Sequence, residues 1–210
     1  MAGHRLFLIG DNAVAIQPED RLLRHPLARA LRASQDWIDV VPGKQVVALQ
    51  FDPLQELPSE ALQRAADWLD RFQPDEITKG SIVELHLDAS ARCAPDLDMV
   101  ASRNGMTAAD LLNRVIGSEL IVDMLGFTPG FAYVEGVDAA LYSERLASPR
   151  QRLAAGSVGF VSGQLGFYGL SGPGGWPIIG RLTETLFDAA RDEPFLLQEG
   201  QRIRLHLVDV

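Results

Sequence analysis

Residues 153–180 read LAAGSVGFVSGQLGFYGLSGPGGWPIIG, twenty-eight positions without a charged side chain. A helix of that length would span a bilayer, but this run holds nine glycines, two prolines, Ser157, Ser162, Gln164 and Ser171. Backbone so rich in glycine cannot satisfy its own polar groups as a membrane helix. Glycine inside a strand costs about 0.5–1 kcal/mol relative to alanine. The density therefore needs a reason, either tight barrel corners or the close approach of a ligand. Between the glycines lie short apolar pieces, Ser157–Val161, Leu165–Leu170 and Trp176–Ile179, which read as strands bounded by turns. With Leu120–Leu125 before them and Arg202–Val208 after them, they predict a β-barrel-like domain. In the last run Ile203, Leu205 and Leu207 alternate with Arg202, Arg204 and His206, as in a half-exposed strand.

Upstream the texture is different. Arg5–Ile9 and Ala13–Ile16 predict a hairpin across Gly10-Asp11-Asn12, residues that favour turns. Arg21–Ala33 has apolar residues at helical spacing. Trp37–Val41 and Val46–Phe51 form a second β pair around Pro42-Gly43-Lys44, and Pro58–Phe72 a second helix. This ββα-ββα order predicts an α+β unit, an antiparallel sheet with helices on one side. Ser81–Leu87 is a further strand by alternation. Two short helices follow, Pro95–Arg103 and Thr107–Val115, the second opened by a Thr107–Asp110 capping box. A boundary between Phe72 and Ser81, through Gln73-Pro74-Asp75, divides the chain into an α+β domain over 1–80 and a barrel domain over 81–210. The fold class is α+β.

Composition narrows the functions. The chain has 210 residues, 47% hydrophobic and 22% charged, which is the balance of a globular protein. Nineteen Lys+Arg against twenty-eight Asp+Glu gives a net charge of −9, which opposes the counterion release that drives nucleic-acid binding. One cysteine, Cys93, permits neither an intrachain disulfide nor a cysteine-based metal cluster. The opening residues lack the apolar core of a secretory signal. A soluble, cytoplasmic protein bound to neither membrane nor nucleic acid is expected. No G-x-x-x-x-G-K-[ST] occurs, which excludes a self-contained P-loop. His4, His25, His86 and His206 are scattered and announce no metal site or triad.

The densest chemical signal is Leu125-Gly126-Phe127-Thr128-Pro129-Gly130-Phe131-Ala132-Tyr133. Proline fixes φ and the glycine after it permits positive φ, so Pro129-Gly130 is a turn of defined shape. It holds Phe127, Phe131 and Tyr133 in fixed relation, either as a packed corner or as a pocket wall. Gln164 is the one long polar side chain in the uncharged run. Its amide can donate and accept, which suits a substrate amide or carboxylate as well as neighbouring backbone. Arg150, Arg152 and Arg181 flank the run, and guanidinium groups bind carboxylate or phosphate bidentately.

Leu125–Tyr133, Ser148-Pro149-Arg150, Ala155–Val158, Gly163-Gln164, Pro173–Trp176 and Ile178-Ile179-Gly180-Arg181 occur in one order and spacing. Together they resemble the carboxyltransferase C/D family, which includes the first subunit of allophanate hydrolase, the B subunit of 5-oxoprolinase and the sporulation histidine-kinase inhibitor. Gly10-Asp11-Asn12-Ala13 and Pro95-Asp96-Leu97 extend the resemblance over nearly the whole chain. It implies a cyclophilin-like β-barrel behind the α+β domain and ATP-coupled hydrolysis of a small amide. It also implies a partner of the same family type, like the second subunit of allophanate hydrolase or the C subunit of 5-oxoprolinase. On that reading Gln164 is catalytic. Phe127, Pro129, Gly130, Phe131, Tyr133, Ser157, Gly174, Gly175 and Trp176 line the substrate pocket, and Arg150 and Arg181 bind the anion. ATP would sit at a subunit interface, and neither a metal nor a biotin attachment site is expected. The alternatives are a non-catalytic regulator like the kinase inhibitor, or a carboxyl-transfer subunit of a biotin-dependent urea carboxylase system. The chain departs from the family pattern at Val115, where a histidine is common, at Leu120 for a tyrosine, at Leu165 for a threonine, and at Gly172 for a serine. Losing the histidine removes the side chain best suited to proton transfer near neutrality. Either an acid or base comes from the partner, or the family's reaction is lost.

Overall fold

The structure, a computed structural model, describes residues 3–20, 23–72 and 81–208. The chain divides into two units, Met1–Thr78 and Lys79–Val210. The boundary expected between Phe72 and Ser81 falls on 73–80, outside the described residues.

In the first unit β1 (Arg5–Ile9) and β2 (Ala13–Gln17) form the expected hairpin, with Gly10 at φ +64° in its turn. Helix α1 (Arg24–Ser34) follows; residues 21 and 22, where it was expected to start, lie outside the described residues. Then come β3 (Asp39–Pro42), β4 (Val47–Gln50) and helix α2 (Pro58–Arg71). The sheet order is β1-β2-β4-β3, antiparallel throughout. Strand alternation sends Val14, Ile16, Val47, Leu49 and Val40 to one face, where they share one buried cluster with Leu27 and Leu31 of α1 and Ala61 and Ala65 of α2. Helix α2 opens with Pro58, whose missing N–H costs nothing there, while Glu60 accepts the Leu57 N–H at 3.0 Å.

The second unit runs β5 (Ile82–Asp88), α3 (Leu97–Arg103), α4 (Ala108–Ile116), β6 (Leu120–Leu125), β7 (Ala132–Glu135), β8 (Arg150–Leu153), β9 (Ser157–Val161), β10 (Gln164–Phe167), β11 (Gly172–Gly174), β12 (Ile178–Leu182) and β13 (Arg202–Leu207). The capping box at Thr107 is present, its Oγ1 accepting the Asp110 N–H at 3.1 Å. Seven strands close into a barrel in the order β10-β7-β6-β13-β5-β12-β9, and β8 with β11 makes a separate ribbon. An odd ring cannot close with antiparallel neighbours alone. Here the parallel pair is β5 with β13, the first and last strands of the unit. Against expectation, the run from Leu165 leaves the ladder at Phe167, and the run from Trp176 enters it only at Ile178.

Leu85, Val122, Val134, Phe160, Leu165 and Phe167 point inward and are fully buried, and Leu111 and Val115 of α4 belong to the same cluster. Their strand neighbours Tyr133, Gly159, Gln164 and Gly166 therefore face outward. Among the described residues, no helix is long and apolar enough to cross a membrane.

Candidate functional site

Outward on the barrel wall, Gly166 of β10 lies between Tyr133 of β7 and Gly159 of β9. The two glycines leave a trough, and the chain fills it with its own rings. A Cβ on Gly166 would stand 2.8 Å from Phe131 Cζ and 3.1 Å from Trp176 Cε3; one on Gly159 would stand 2.7 Å from Trp176 Cβ. At these two positions the glycines make room for aromatic side chains of the same chain.

The rings meet edge to face, as their quadrupoles favour. Phe131 is at the centre, with centroid distances of 4.8 Å to Tyr133, 5.0 Å to Tyr168, 5.3 Å to Phe127 and 6.4 Å to Trp176. Leu153 of the ribbon and Ile178 join Phe131, Tyr133 and Tyr168 in a small satellite cluster. The expected turn at Pro129-Gly130 is present: the Phe131 N–H reaches Thr128 O at 3.0 Å with Gly130 at φ +73°, the pattern of a type II turn. A side chain at Gly130 would also strike Phe187, whose Cβ is 2.5 Å from the Cβ position. Just before the turn, Phe127 holds φ +68° and is 64% exposed. That conformation costs a non-glycine residue about 1–2 kcal/mol, so the turn presents this ring at the surface under strain.

The structure thus brings Phe127, Phe131, Tyr133 and Trp176 into one aromatic platform, with Pro129 and Gly130 in the turn between the first two. Phe131 and Trp176 are buried within it, while Tyr133 keeps partial access. Gln164 is half-buried at the start of β10, outward like Gly166, and its amide makes no hydrogen bond among the described residues. Gly174 is buried against Leu153 and the Tyr168 phenol, and Gly175 faces Pro149. Ser157 is buried on β9, and its carbonyl accepts the Tyr168 N–H at 3.0 Å.

Both arginines expected to bind an anion have acidic neighbours. Arg150 donates from both terminal nitrogens to Asp96, at 2.7 and 2.8 Å, and this bonding raises its pKa. The same carboxylate accepts the Ile178 N–H at 2.7 Å and is buried. The pair ties the start of β8 to the start of β12. Arg181 stands opposite Asp88 of β5. The Asp88 carboxyl is lowered to about 2, first by the Cys93 thiol that donates to it at 3.0 Å, then by Ser90, with a smaller part from the charge of Arg181.

Three residues that sequence reading left out complete the picture. Tyr168 is buried, and burial raises its pKa while a hydrogen bond with the Trp176 backbone opposes the rise; it continues the two-residue alternation of Gln164 and Gly166, which was the available signal. Asp96 carried no signal for its pairing with Arg150. Arg145, exposed in the segment before β8, holds its guanidinium 5.8 Å from the centre of the Trp176 indole. An edge-to-face aromatic cluster with a phenol, an amide and a guanidinium at its margin would offer a small polar ligand both apolar surface and hydrogen-bonding groups. Among the described residues, no group of three or more His, Cys, Asp or Glu could hold a metal ion.

A family model described as "Carboxyltransferase domain, subdomain C and D" matches residues 2–197. The chain is 32% identical over 206 residues to the B subunit of 5-oxoprolinase from Escherichia coli O157:H7, covering 95% of this chain and 94% of that one. Among solved structures, TTHA0988 superimposes with a TM-score of 0.79 at 27% identity, over 95% of this chain but 40% of its own. The conserved uncharacterized protein PH0987 from Pyrococcus horikoshii does so with a TM-score of 0.60 at 29% identity, over 98% of both chains.

Proposed function

The chain belongs to the carboxyltransferase domain, subdomain C and D family, and from that premise we propose that it is a subunit of an ATP-dependent amide hydrolase of the 5-oxoprolinase type. The observation that carries this reading is its 32% identity to the B subunit of a 5-oxoprolinase along 94% of that protein's length. The substrate would be a small cyclic or urea-derived amide, and a second subunit of the same family type would complete the site.

The outer platform supports this. Gln164 would meet the amide with its own donor and acceptor. Phe127, Phe131, Tyr133 and Trp176 would shape the pocket, with Pro129, Gly130, Ser157, Gly174 and Gly175 setting the backbone around them. Three of the four departures from the family pattern lie away from such a site. Val115, Leu120 and Leu165 are all core residues, 0%, 1% and 0% exposed, on the opposite side of the barrel wall from Gln164. A histidine at Val115 would be buried in the hydrophobic cluster rather than presented to a ligand there.

The residues present do not fit ATP by themselves. The glycines at 159 and 166 are occupied by Trp176 and Phe131, so they offer no open phosphate cradle, and the chain has no P-loop. ATP therefore belongs with another subunit or at an interface with one. The test is 5-oxoproline-dependent ATP hydrolysis by the chain assembled with its sister subunits, compared with Gln164→Ala. Turnover lost in the variant is expected. A correctly assembled complex that turns over neither 5-oxoproline nor allophanate would overturn the reading and favour the regulator.

A further inference from the structure

We infer that Arg145 receives the carboxylate of the substrate, so that the platform selects small amides that also carry an acid group. This rests on the amide-hydrolase reading above and adds the charge of the ligand to it.

A chain with net charge −9 opposes the approach of an anion at long range, so an anionic ligand needs a local cation whose charge is not already paired. Arg150 is paired with Asp96 and Arg181 faces Asp88. Arg145 forms no ion pair among the described residues. Its acidic neighbour in sequence, Glu144, accepts the Tyr142 hydroxyl at 2.8 Å.

The segment that carries Arg145 is fixed on both sides. Behind it, Ser143 O accepts the Ser162 N–H at 3.2 Å and the Ser162 hydroxyl at 3.0 Å. Ahead of it, the Leu146 N–H reaches Gly175 O at 2.7 Å. Ser162 lies in the turn two residues before Gln164, and Gly175 immediately precedes Trp176. The segment therefore runs from the Gln164 end of the platform to the Trp176 end, and Arg145 projects over the indole in between. A planar guanidinium can take a carboxylate bidentately while its stem stays on the ring. A ligand at the exposed margin of the platform would then offer its amide to Gln164 and its acid to Arg145.

The experiment is calorimetric titration of the complete complex with 5-oxoproline and with 2-pyrrolidinone, the same ring without the carboxylate. The wild type should prefer the acid by about 10- to 100-fold, the range for one charge-assisted contact. Arg145→Ala should lose that preference while binding 2-pyrrolidinone as before, and Arg145→Lys should keep part of it. Because Arg145 is exposed, an unchanged melting temperature will separate loss of binding from loss of fold. A preference that survives Arg145→Ala overturns the inference. If neither lactam binds but allophanate binds the wild type and not Arg145→Ala, the role of Arg145 stands and the 5-oxoprolinase reading falls. Failure of the wild-type complex to bind any of these carboxylates overturns both.

Discussion

Replacing Arg150 by methionine will cost stability before it costs affinity. Its guanidinium gives 2.7 and 2.8 Å bonds to Asp96, which also accepts the Ile178 N–H at 2.7 Å. Breaking a buried pair from one side costs about 3–5 kcal/mol, because the remaining charge is stranded. The Asp96 side chain is 10% exposed but that of Arg150 is 34% exposed, so solvent screening brings the expectation for Arg150→Met to about 2–3 kcal/mol. Asp96→Ala should cost about 3 kcal/mol, since it also leaves the Ile178 N–H without its acceptor, worth about 1–3 kcal/mol. Asp96→Asn with Arg150→Met keeps an acceptor for that N–H and strands no charge. The double variant should therefore be less destabilised than the sum of its singles, by about 1–2 kcal/mol. Denaturant unfolding of the wild type, the two singles Asp96→Asn and Arg150→Met, and the double, followed by tryptophan fluorescence, measures the cycle. Additive losses, or an Arg150→Met protein within about 0.5 kcal/mol of wild type that fails to bind substrate, would refute the structural role and return Arg150 to the anion site.

Two further outcomes concern the strands of the barrel. Gly166→Ala gains about 0.4–1 kcal/mol from the unfolded state but places a methyl 2.8 Å from Phe131 Cζ. Overpacking of that kind costs about 1–3 kcal/mol, so the melting temperature should fall and the Trp176 emission should shift; a rise in melting temperature would sink the packing argument. The second outcome concerns acid. Asp88 titrates at about 2 in the folded chain against 3.8 ordinarily, so its contribution to stability is full above the ordinary value and is lost as pH falls toward 2. Cys93→Ala removes the largest cause of that shift, and the Asp88 carboxyl should then titrate at higher pH by carbon-detected NMR, while Cys93→Ser keeps a donor and should move it less. An unmoved titration in Cys93→Ala would show that the thiol is not the cause.

Most of the fold was legible because local pattern and tertiary role agree. The alternation in 202–208 and the capping box at Thr107 needed no distant partner to be read. Strands β8 and β11 carry no such local pattern. Arg150–Leu153 carries three polar residues in four, and Gly172–Gly174 is glycine and proline; each is a strand only because the other pairs with it. The site shows the same division. The aromatic motif and Gln164 stood out as residue types in an unusual context. Arg150 read as a free cation because its partner lies 54 positions away, and an isolated arginine such as Arg145 has no local pattern that marks it.

The glycine density explains why the aromatic platform lies outside the barrel. A closed sheet of seven strands is narrow enough for side chains to fill, and Phe160 and Phe167 do so at 0% exposure. Alternation then leaves the outward positions of β9 and β10 with no core to pack, and at Gly159 and Gly166 it places no side chain at all. That gap lets an indole and a phenyl ring lie directly on the strand backbone, so the aromatic layer is held as firmly as the wall beneath it. The Tyr133 phenol, the Gln164 amide and the Arg145 guanidinium stand at its margin without being buried. On the proposed reading a ligand would meet these polar groups beside a preformed apolar surface. That is why variants beneath the floor, such as Gly166→Ala, should disturb binding through geometry, whereas Arg145→Ala should alter only the preference for charge.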